Sequence, residues 1–234
     1  MRLLLISNST NPGEAYLDYP KQQIADFLGK TPRNCAFIPY AGVTISFDDY
    51  EARVKERFGE IGHHIVSVHK ATDPVKAVKE ADAIVVGGGN TFQLVKMIQE
   101  QGLIEAVREK VLAGTPYVGW SAGSNMCCPT IRTTNDMPIV EPPSFRAFGL
   151  VPFQINPHYT DVNPPGHAGE TRDDRIREFL AANPAETVLG LREGCMFRIE
   201  GNDMTLIGEK PVRVFRFGQE AREMDKKERF ASFL

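Results

Sequence analysis

Several features that define common protein classes are missing from this chain of 234 residues. No run of apolar residues approaches the roughly 20 that a transmembrane helix needs. The first segment, residues 1–8, lacks the apolar core and cleavage site of a signal peptide, so we expect it to be a strand. The 4 cysteines include no C-x-x-C pair, which favours reduced thiols. We therefore expect a cytoplasmic protein that does not bind a membrane.

The charge pattern also excludes several kinds of partner. The chain has no long run of charges of one sign, and its formal net charge is −3, so nothing in the charge pattern favours binding to nucleic acid or an anionic membrane. Neither H-E-x-x-H nor an Asp-rich calcium loop occurs in the chain, which disfavours a metal site. We expect no nucleic-acid partner, no metal and no cofactor.

Apolar segments alternate with amphipathic ones, as is typical of an α/β protein. Strands are predicted at residues 2–8, 34–40, 64–68, 83–86, 115–119, 153–157 and 188–191, and helices at residues 20–28, 48–58, 73–81, 91–99, 103–112, 122–128 and 171–182. This rhythm predicts a single domain over residues 1–234, with a three-layer, doubly wound, mostly parallel sheet and functional loops at the carboxyl ends of its strands. Antiparallel hairpins are predicted over residues 195–217, followed by a charged helix or tail over residues 219–234.

The most informative motif is the pentapeptide G-W-S-A-G at residues 119–123. It fits G-x-S-x-G, in which a nucleophilic serine is presented on a sharp turn between a strand and a helix. A β-prone segment precedes the motif and small apolar residues follow it, in agreement with that setting. The glycines are needed because a side chain at either position would clash with neighbouring backbone. We predict that Ser121 is a nucleophile; the alternative is a serine in an ordinary turn.

A serine nucleophile needs a general base, and the chain has 5 histidines. His158 follows a predicted strand, so we expect it at the same sheet edge as Ser121, because loops at the carboxyl ends of strands converge there. We predict that His158 is the base. The other histidines are expected in loops or at the surface, and they are His63, His64, His69 and His167.

The base must be held in one tautomer by an acceptor, usually a carboxylate. Glu193 follows the predicted strand at residues 188–191 and should lie at the active edge. Asp136 is in a polar loop after the nucleophile helix, and Asp161 is close enough to His158 in sequence to cap its turn instead. Chain order does not choose among them, because catalytic triads occur in several orders. Placement favours Glu193, with Asp136 as the alternative.

The oxyanion of an acyl-transfer reaction needs backbone N–H donors. One predicted donor is Ala122, which follows the nucleophile at a helix N-terminus. The other is Gly89, in the glycine loop G-G-G-N at residues 87–90, where missing side chains let backbone approach a substrate. The alternative for this loop is a dinucleotide or phosphate site, although it has neither G-x-G-x-x-G nor G-K-[ST].

Several segments in this order resemble the peptidase E family of bacterial α-aspartyl dipeptidases. They are G-G-G-N-T-F at residues 87–92, G-W-S-A-G at 119–123, T-I-R-T-T-N-D-M-P at 130–138, Q-I-N-P-H at 154–158 and G-E-T-R at 169–172. The resemblance covers the chain to about residue 194 and weakens in the predicted hairpins. It implies a fold like that of the class I glutamine amidotransferases and a serine hydrolase that cleaves dipeptides with an N-terminal aspartate.

The resemblance also implies roles for individual residues. It places the nucleophile at Ser121 and the base at His158, while Asp136 and Glu193 both match family positions considered for the third role. We expect only one of these acids to hydrogen-bond to His158. The other is expected to position the substrate, for example its α-ammonium group, or the loop that covers it.

An aspartyl substrate brings a carboxylate that needs a cation, and arginine is suited because its planar fork pairs with both oxygens. The candidates are Arg172, in the G-E-T-R segment, and Arg132, in the segment at residues 130–138. We favour Arg172. Asn90, at the end of the glycine loop, is a further candidate for contact with the substrate.

Two other functions are compatible with the sequence. A related serine hydrolase could act on β-aspartyl or cyanophycin-like peptides. Alternatively, a flavodoxin-like binding module without catalytic activity could retain the G-x-S-x-G motif only as a structural turn.

Overall fold

The computed structural model describes residues 1–163, residue 166 and residues 168–234, and these form two β-sheets with helices packed around them. The strands are β1 (Arg2–Ile6), β2 (Asn34–Ile38), β3 (His64–Ser67), β4 (Ala83–Val86), β5 (Tyr117–Trp120), β6 (Gln154–Tyr159), β7 (Thr187–Arg192), β8 (Met196–Glu200), β9 (Asp203–Ile207), β10 (Val212–Arg216) and β11 (Arg222–Met224). The α-helices are α1 (Lys21–Leu28), α2 (Phe47–Gly59), α3 (Pro74–Glu80), α4 (Thr91–Glu100), α5 (Leu103–Leu112), α6 (Ala122–Asn125) and α7 (Arg172–Ala182). None of these helices has the length and apolarity to cross a membrane.

The main sheet has 7 strands in the order β3-β2-β4-β5-β1-β8-β9. The strands from β3 to β1 run parallel, and the hairpin of β8 and β9 is added antiparallel to β1. Helices follow most of the parallel strands, because a parallel neighbour can be reached only through a crossover connection. The predicted fold class, a doubly wound and mostly parallel sheet with hairpins near the C-terminus, is confirmed.

Helices cover both faces of the main sheet, as the alternation of side chains along β1 shows. Leu3 and Leu5 pack in a core that also contains α4 and α5, whereas Leu4 and Ile6 pack in a second core with α1 and α2. All four of these leucine and isoleucine side chains are fully buried. A strand that is buried on both faces has a continuous apolar sequence, as β1 does. Because helices pack on both faces of the sheet, the predicted three-layer arrangement is confirmed.

The second sheet has the order β11-β10-β7-β6 and supplies part of the site described below. The sequence predicts that the strands at residues 153–157 and 188–191 end at the same sheet edge as the strand before Ser121; instead, they pair with each other as β6 and β7 in the second sheet. The physical reason is that β8 pairs with β1 and fills the position beside it. Helix α7 packs on the second sheet through Ile176 and Leu180.

Strand β6 continues through Pro157, where the sequence predicts its end. The pairing of β6 with β7 shifts register between Asn156 and Tyr159, and Pro157 lies inside this irregularity, where its missing N–H is not needed for the ladder. The next residue, His158, has a φ of 53°, which is uncommon for a residue other than glycine. The irregularity therefore sets the local backbone of His158.

Two other predicted boundaries are wrong. The helix after Ser121 covers only residues 122–125 and not 122–128, because the carbonyl groups of residues 126–128 accept hydrogen bonds from residues 148–151 instead of continuing the helix. The predicted helix or tail at residues 219–234 instead forms strand β11 and a 3-10 turn at Phe230–Phe233. Phe230 is fully buried and packs against Phe197, with ring centroids 5.7 Å apart.

Candidate active site

Ser121 lies on a strained turn between β5 and α6, so the predicted order of strand, serine and helix is confirmed. Its backbone has φ 53° and ψ −115°, and such strain persists only where the surroundings enforce it. A Cβ atom at Gly119 would lie 2.6 Å from the Gly123 carbonyl oxygen, and one at Gly123 would collide with the Val86 carbonyl. The steric reason predicted for both glycines is therefore confirmed.

A chain of hydrogen bonds joins Ser121, His158 and Glu193. Nε2 of His158 is 2.8 Å from the Ser121 hydroxyl, and Nδ1 is 2.7 Å from Oε1 of Glu193. A carboxylate can only accept, so Nδ1 carries a proton and Nε2 of the neutral ring accepts the hydroxyl proton of Ser121. The side chains of His158 and Glu193 are 39% and 45% exposed, so water reaches the pair.

Ser7, just beyond β1, connects this hydrogen-bond chain to the main sheet. Its hydroxyl donates to the Leu191 carbonyl at 2.8 Å and accepts the His158 N–H at 3.0 Å, while its own N–H donates to the Cys195 carbonyl at 3.0 Å. The side chain is fully buried. Ser7 therefore sets the position of β6 and β7 relative to β1. Sequence reasoning missed it, and the only signal was its place at the carboxyl end of the first strand.

The loop that carries Glu193 is attached to the main sheet at the next residue, Asn8. Oδ1 of Asn8 accepts the N–H of Gly194 at 2.8 Å and the hydroxyl of Tyr19 at 2.7 Å. From the other side, Nζ of Lys210 donates to the Glu193 carbonyl at 3.1 Å. These contacts restrict the backbone of Glu193 although its carboxylate is half exposed.

The other candidate acids lie elsewhere. Oδ2 of Asp136 accepts from the N–H of Thr91 at 2.7 Å, from its hydroxyl at 2.5 Å and from the hydroxyl of Thr134 at 3.1 Å. Asp136 therefore holds the start of α4 rather than the imidazole of His158. Asp161 pairs with Arg192 at 2.9 Å. Of the three acids considered, only Glu193 contacts His158.

A cavity of about 720 Å³ opens beside Ser121 and is lined by His158, Gly88, Gly89, Asn90 and Asp136. The glycine loop lies against the nucleophile, since a Cβ atom at Gly88 would be 2.9 Å from Cβ of Ser121. Within the described part of the chain, the N–H groups of Gly89 and Ala122 have no acceptor. Both donors are thus available to a ligand at Ser121.

Asn90 lines the cavity, but its side chain already has partners. Oδ1 accepts the N–H of Gln93 at 3.0 Å and caps α4, and Nδ2 donates to the Met137 carbonyl at 2.9 Å. The amide therefore stabilises the end of the glycine loop. A contact between this amide and a substrate would have to replace or share these bonds.

The two candidate arginines line a smaller cavity of about 180 Å³ that shares Asp136 with the large one. Burial lowers the pKa of Arg172, and the nearby charge of Arg175 lowers it further; no carboxylate among the described residues pairs with Arg172. Arg132 differs, because its guanidinium donates to Asn183 at 2.7 Å and lies 5.3 Å from the centre of the Phe179 ring. Of the two arginines, Arg132 is therefore the one whose guanidinium is already engaged with protein groups.

The remaining histidines do not take part in this arrangement. His64 is exposed, and His69 contacts Ser67 and Asp48. His63 lies in the loop before β3, as predicted, and its side chain is buried. His167 lies outside the described residues. Sequence reasoning also missed three residues that line the large cavity without belonging to any motif, namely Tyr16, Tyr50 and Arg53.

A serine on a strained strand–helix turn, hydrogen-bonded to a histidine that is held by a carboxylate, defines the class of serine hydrolases. The sequence matches the model of peptidase family S51 over residues 3–207, and the chain belongs to this family of serine peptidases. It is 51% identical to peptidase E of Nostoc sp. strain PCC 7120 over 95% of this chain and 92% of that protein. It is 47% identical to peptidase E of Escherichia coli strain 536 over 98% of this chain and 100% of that protein.

A solved structure shares the fold. The crystal structure of a peptidase from an acI-B1 Actinobacterium superimposes with a TM-score of 0.71 at 16% sequence identity, covering 97% of this chain and 95% of that one. At this identity the likeness shows the fold alone. The family resemblance predicted from the motifs is confirmed by the family match and by the relatives in Nostoc and E. coli.

Proposed function

We propose that this peptidase hydrolyses dipeptides with an N-terminal aspartate through an acyl-enzyme on Ser121. The observation that carries the proposal is the hydrogen-bonded series Ser121–His158–Glu193 beside the large cavity. The smaller cavity next to it is lined by the partly buried guanidinium of Arg172. The relatives in Nostoc and E. coli that share about half of the sequence are named peptidase E.

The geometry supports acyl transfer to water. His158 takes the proton of the Ser121 hydroxyl, and the serine oxygen attacks the peptide carbonyl carbon. The negative oxygen that forms accepts hydrogen bonds from the N–H groups of Gly89 and Ala122. His158 then donates its proton to the leaving amine, the C–N bond breaks, and water hydrolyses the ester with His158 again as base. Glu193 stabilises the charged imidazolium in both steps.

Recognition of the aspartyl residue is assigned to two charges. Arg172 pairs with the side-chain carboxylate, because a guanidinium that is already partly desolvated loses little hydration when a carboxylate arrives. Asp136 faces both cavities, and its Oδ1 has no hydrogen-bond partner among the described residues. That oxygen is available for the α-ammonium group of the substrate.

The test compares dipeptides that differ only at the recognised group. We expect Asp-Leu to be cleaved about 10–150-fold faster than Asn-Leu and Leu-Leu, since a hydrogen bond to a charged group contributes about 1.5–3 kcal/mol. Ser121→Ala should abolish cleavage while leaving the circular dichroism spectrum unchanged. Equal rates for the three substrates, or an active Ser121→Ala variant, would overturn the proposal.

Two further measurements distinguish this proposal from the other two functions considered. Preference for β-linked Asp-Leu over the α-linked isomer would assign the site to β-aspartyl or cyanophycin-like peptides. Failure to cleave any of these peptides, together with failure of a fluorophosphonate to label Ser121, would contradict catalysis at this serine.

A further inference from the structure

Tyr50 of α2 lies under the glycine loop, with its side chain buried and 6% of the residue exposed. Its hydroxyl is 2.9 Å from the Gly88 carbonyl oxygen, 3.3 Å from Nε1 of Trp120 and 3.4 Å from the hydroxyl of Tyr16. Two of these partners belong to the site, since Gly88 lines the cavity and Trp120 directly precedes Ser121.

The chemistry of the partners fixes the direction of each hydrogen bond. The indole N–H of Trp120 can only donate, so the Tyr50 oxygen accepts from it. The Gly88 carbonyl can only accept, so the single proton of Tyr50 points to Gly88. The Tyr16 hydroxyl, at the longest distance, is left to donate to Tyr50. Burial raises the pKa of Tyr50 to about 12, so its hydroxyl keeps that proton at neutral pH.

This bond determines which way the peptide between Gly88 and Gly89 faces. The peptide is planar and trans, so its C=O and N–H point in opposite directions. With the carbonyl of Gly88 held on Tyr50, the N–H of Gly89 points away from Tyr50. We propose that the Tyr50 hydroxyl is a positioning residue that keeps the Gly89 N–H turned toward the oxyanion formed at Ser121.

The loop needs such a restraint because of its composition. Without Cβ atoms, Gly88 and Gly89 allow the peptide to rotate at small steric cost, and Gly89 has a φ of 136°. A rotated peptide would present the Gly88 carbonyl oxygen where the oxyanion forms, and two negative oxygens would repel each other. A Cβ atom at Gly87 would collide with the Tyr50 hydroxyl, so the first glycine of the loop makes room for this contact.

The same contact coordinates the two proposed oxyanion donors. The Gly89 donor belongs to the loop after β4, and the Ala122 donor belongs to the turn after β5. Tyr50 bonds to Gly88 on the loop and to Trp120, the last residue of β5 before the turn. It therefore links the two segments whose N–H groups must reach one oxygen.

Tyr50→Phe tests this inference, which rests on the proposed hydrolytic function, in the full-length enzyme. Removing one oxyanion donor outright costs about 100–1000-fold in rate. Tyr50→Phe keeps the Gly89 N–H and removes only the hydrogen bond that orients it, so the loss should be smaller. We expect kcat for Asp-Leu to fall about 10–100-fold, while KM stays within about twofold because the hydroxyl is already hydrogen-bonded to three protein groups. Tyr40→Phe is the matched control, since it removes a hydroxyl from another buried tyrosine and should leave kcat unchanged.

An inhibitor separates positioning from a general loss of structure. The aldehyde analogue of aspartate would form a hemiacetal oxyanion with Ser121, so its inhibition constant should rise in Tyr50→Phe by the same factor by which kcat falls. A melting temperature within about 5 °C of the parent would accompany this result. An unchanged kcat, or a reduced kcat with an unchanged inhibition constant, would overturn the inference.

The proposed substrate is tested separately by the parent enzyme. If the parent does not cleave Asp-Leu, the substrate assignment fails, and the rate of fluorophosphonate labelling at Ser121 then tests Tyr50, because the phosphoryl oxygen uses the same donors. Slower labelling of Tyr50→Phe than of Tyr40→Phe would support the positioning role. Equal labelling rates would overturn it.

Discussion

Replacing Glu193 by glutamine is the most direct test of how the site works. The substitution keeps the size of the side chain and removes the charge 2.7 Å from Nδ1 of His158. It also introduces an amide N–H₂ group, which can donate to Nδ1 and so favour the wrong tautomer of the imidazole. Both effects act on the transition state, in which His158 is positively charged.

The size of the effect follows from the exposure of the pair. Unit charges about 4 Å apart attract by about 1 kcal/mol in water and about 4 kcal/mol at an effective dielectric constant of 20. Because the side chains of His158 and Glu193 are 39% and 45% exposed, we expect an intermediate loss. About 2–3 kcal/mol corresponds to a decrease in kcat of about 30–150-fold.

The assay is hydrolysis of Asp-Leu, with kcat and KM measured separately, and Asp136→Asn is the matched control. Asparagine keeps an oxygen that accepts the N–H of Thr91, but it removes the negative charge that we assign to the ammonium group of the substrate. We therefore expect KM to rise about tenfold and kcat to stay within about threefold of the parent value, because only binding of the ground state is weakened. A Glu193→Gln variant with parental kcat, combined with a large decrease in kcat for Asp136→Asn, would refute the assignment of Glu193.

Three other predictions address substrate charge, assembly of the site and the thiols. Arg172→Ala should lower kcat/KM for Asp-Leu about 10–150-fold, since a hydrogen bond to a charged group contributes about 1.5–3 kcal/mol. Arg132→Ala should change kcat/KM little; a larger loss in Arg132→Ala than in Arg172→Ala would assign the substrate carboxylate to Arg132 instead. Ser7→Ala should lower the free energy of unfolding in urea by about 1–3 kcal/mol, because a buried N–H and a buried carbonyl lose their partner; an unchanged midpoint would contradict this. Burial raises the pKa of Cys35 and of Cys128 to about 12, so at pH 8 iodoacetamide should alkylate them about 1000-fold more slowly in the native protein than in urea, as followed by mass spectrometry.

The fold was largely predictable because its signals are local. The continuous apolar run at residues 83–86 predicts a buried parallel strand, and the acidic residues with a threonine cap at residues 171–174 predict the start of α7, which is observed with a capping box. The predictions of secondary structure were wrong where contacts between distant residues override local preference. Pro157 does not end β6, because the irregular pairing with β7 accommodates it, and the last 16 residues, 219–234, use β10 and the core as partners instead of forming a helix.

The sequence by itself determined the turn that presents Ser121. Its two glycines and the flanking strand and helix are neighbours in the chain, so steric exclusion and local propensity are enough to predict the geometry. The family was also recognisable from short motifs. These features depend on which residues adjoin each other along the chain.

Only the tertiary structure decided which acid stands beside His158. Asp136 and Glu193 are both carboxylates in loops, 22 residues before and 35 residues after His158, and distance along the chain does not choose between them. The choice depends on the parallel pairing of β6 with β7, which brings the end of β7 next to His158, and on the hydroxyl of Ser7, which joins both strands to β1. The Ser7 contacts link residues more than 150 positions apart, and no local pattern encodes them or the pairing of β6 with β7.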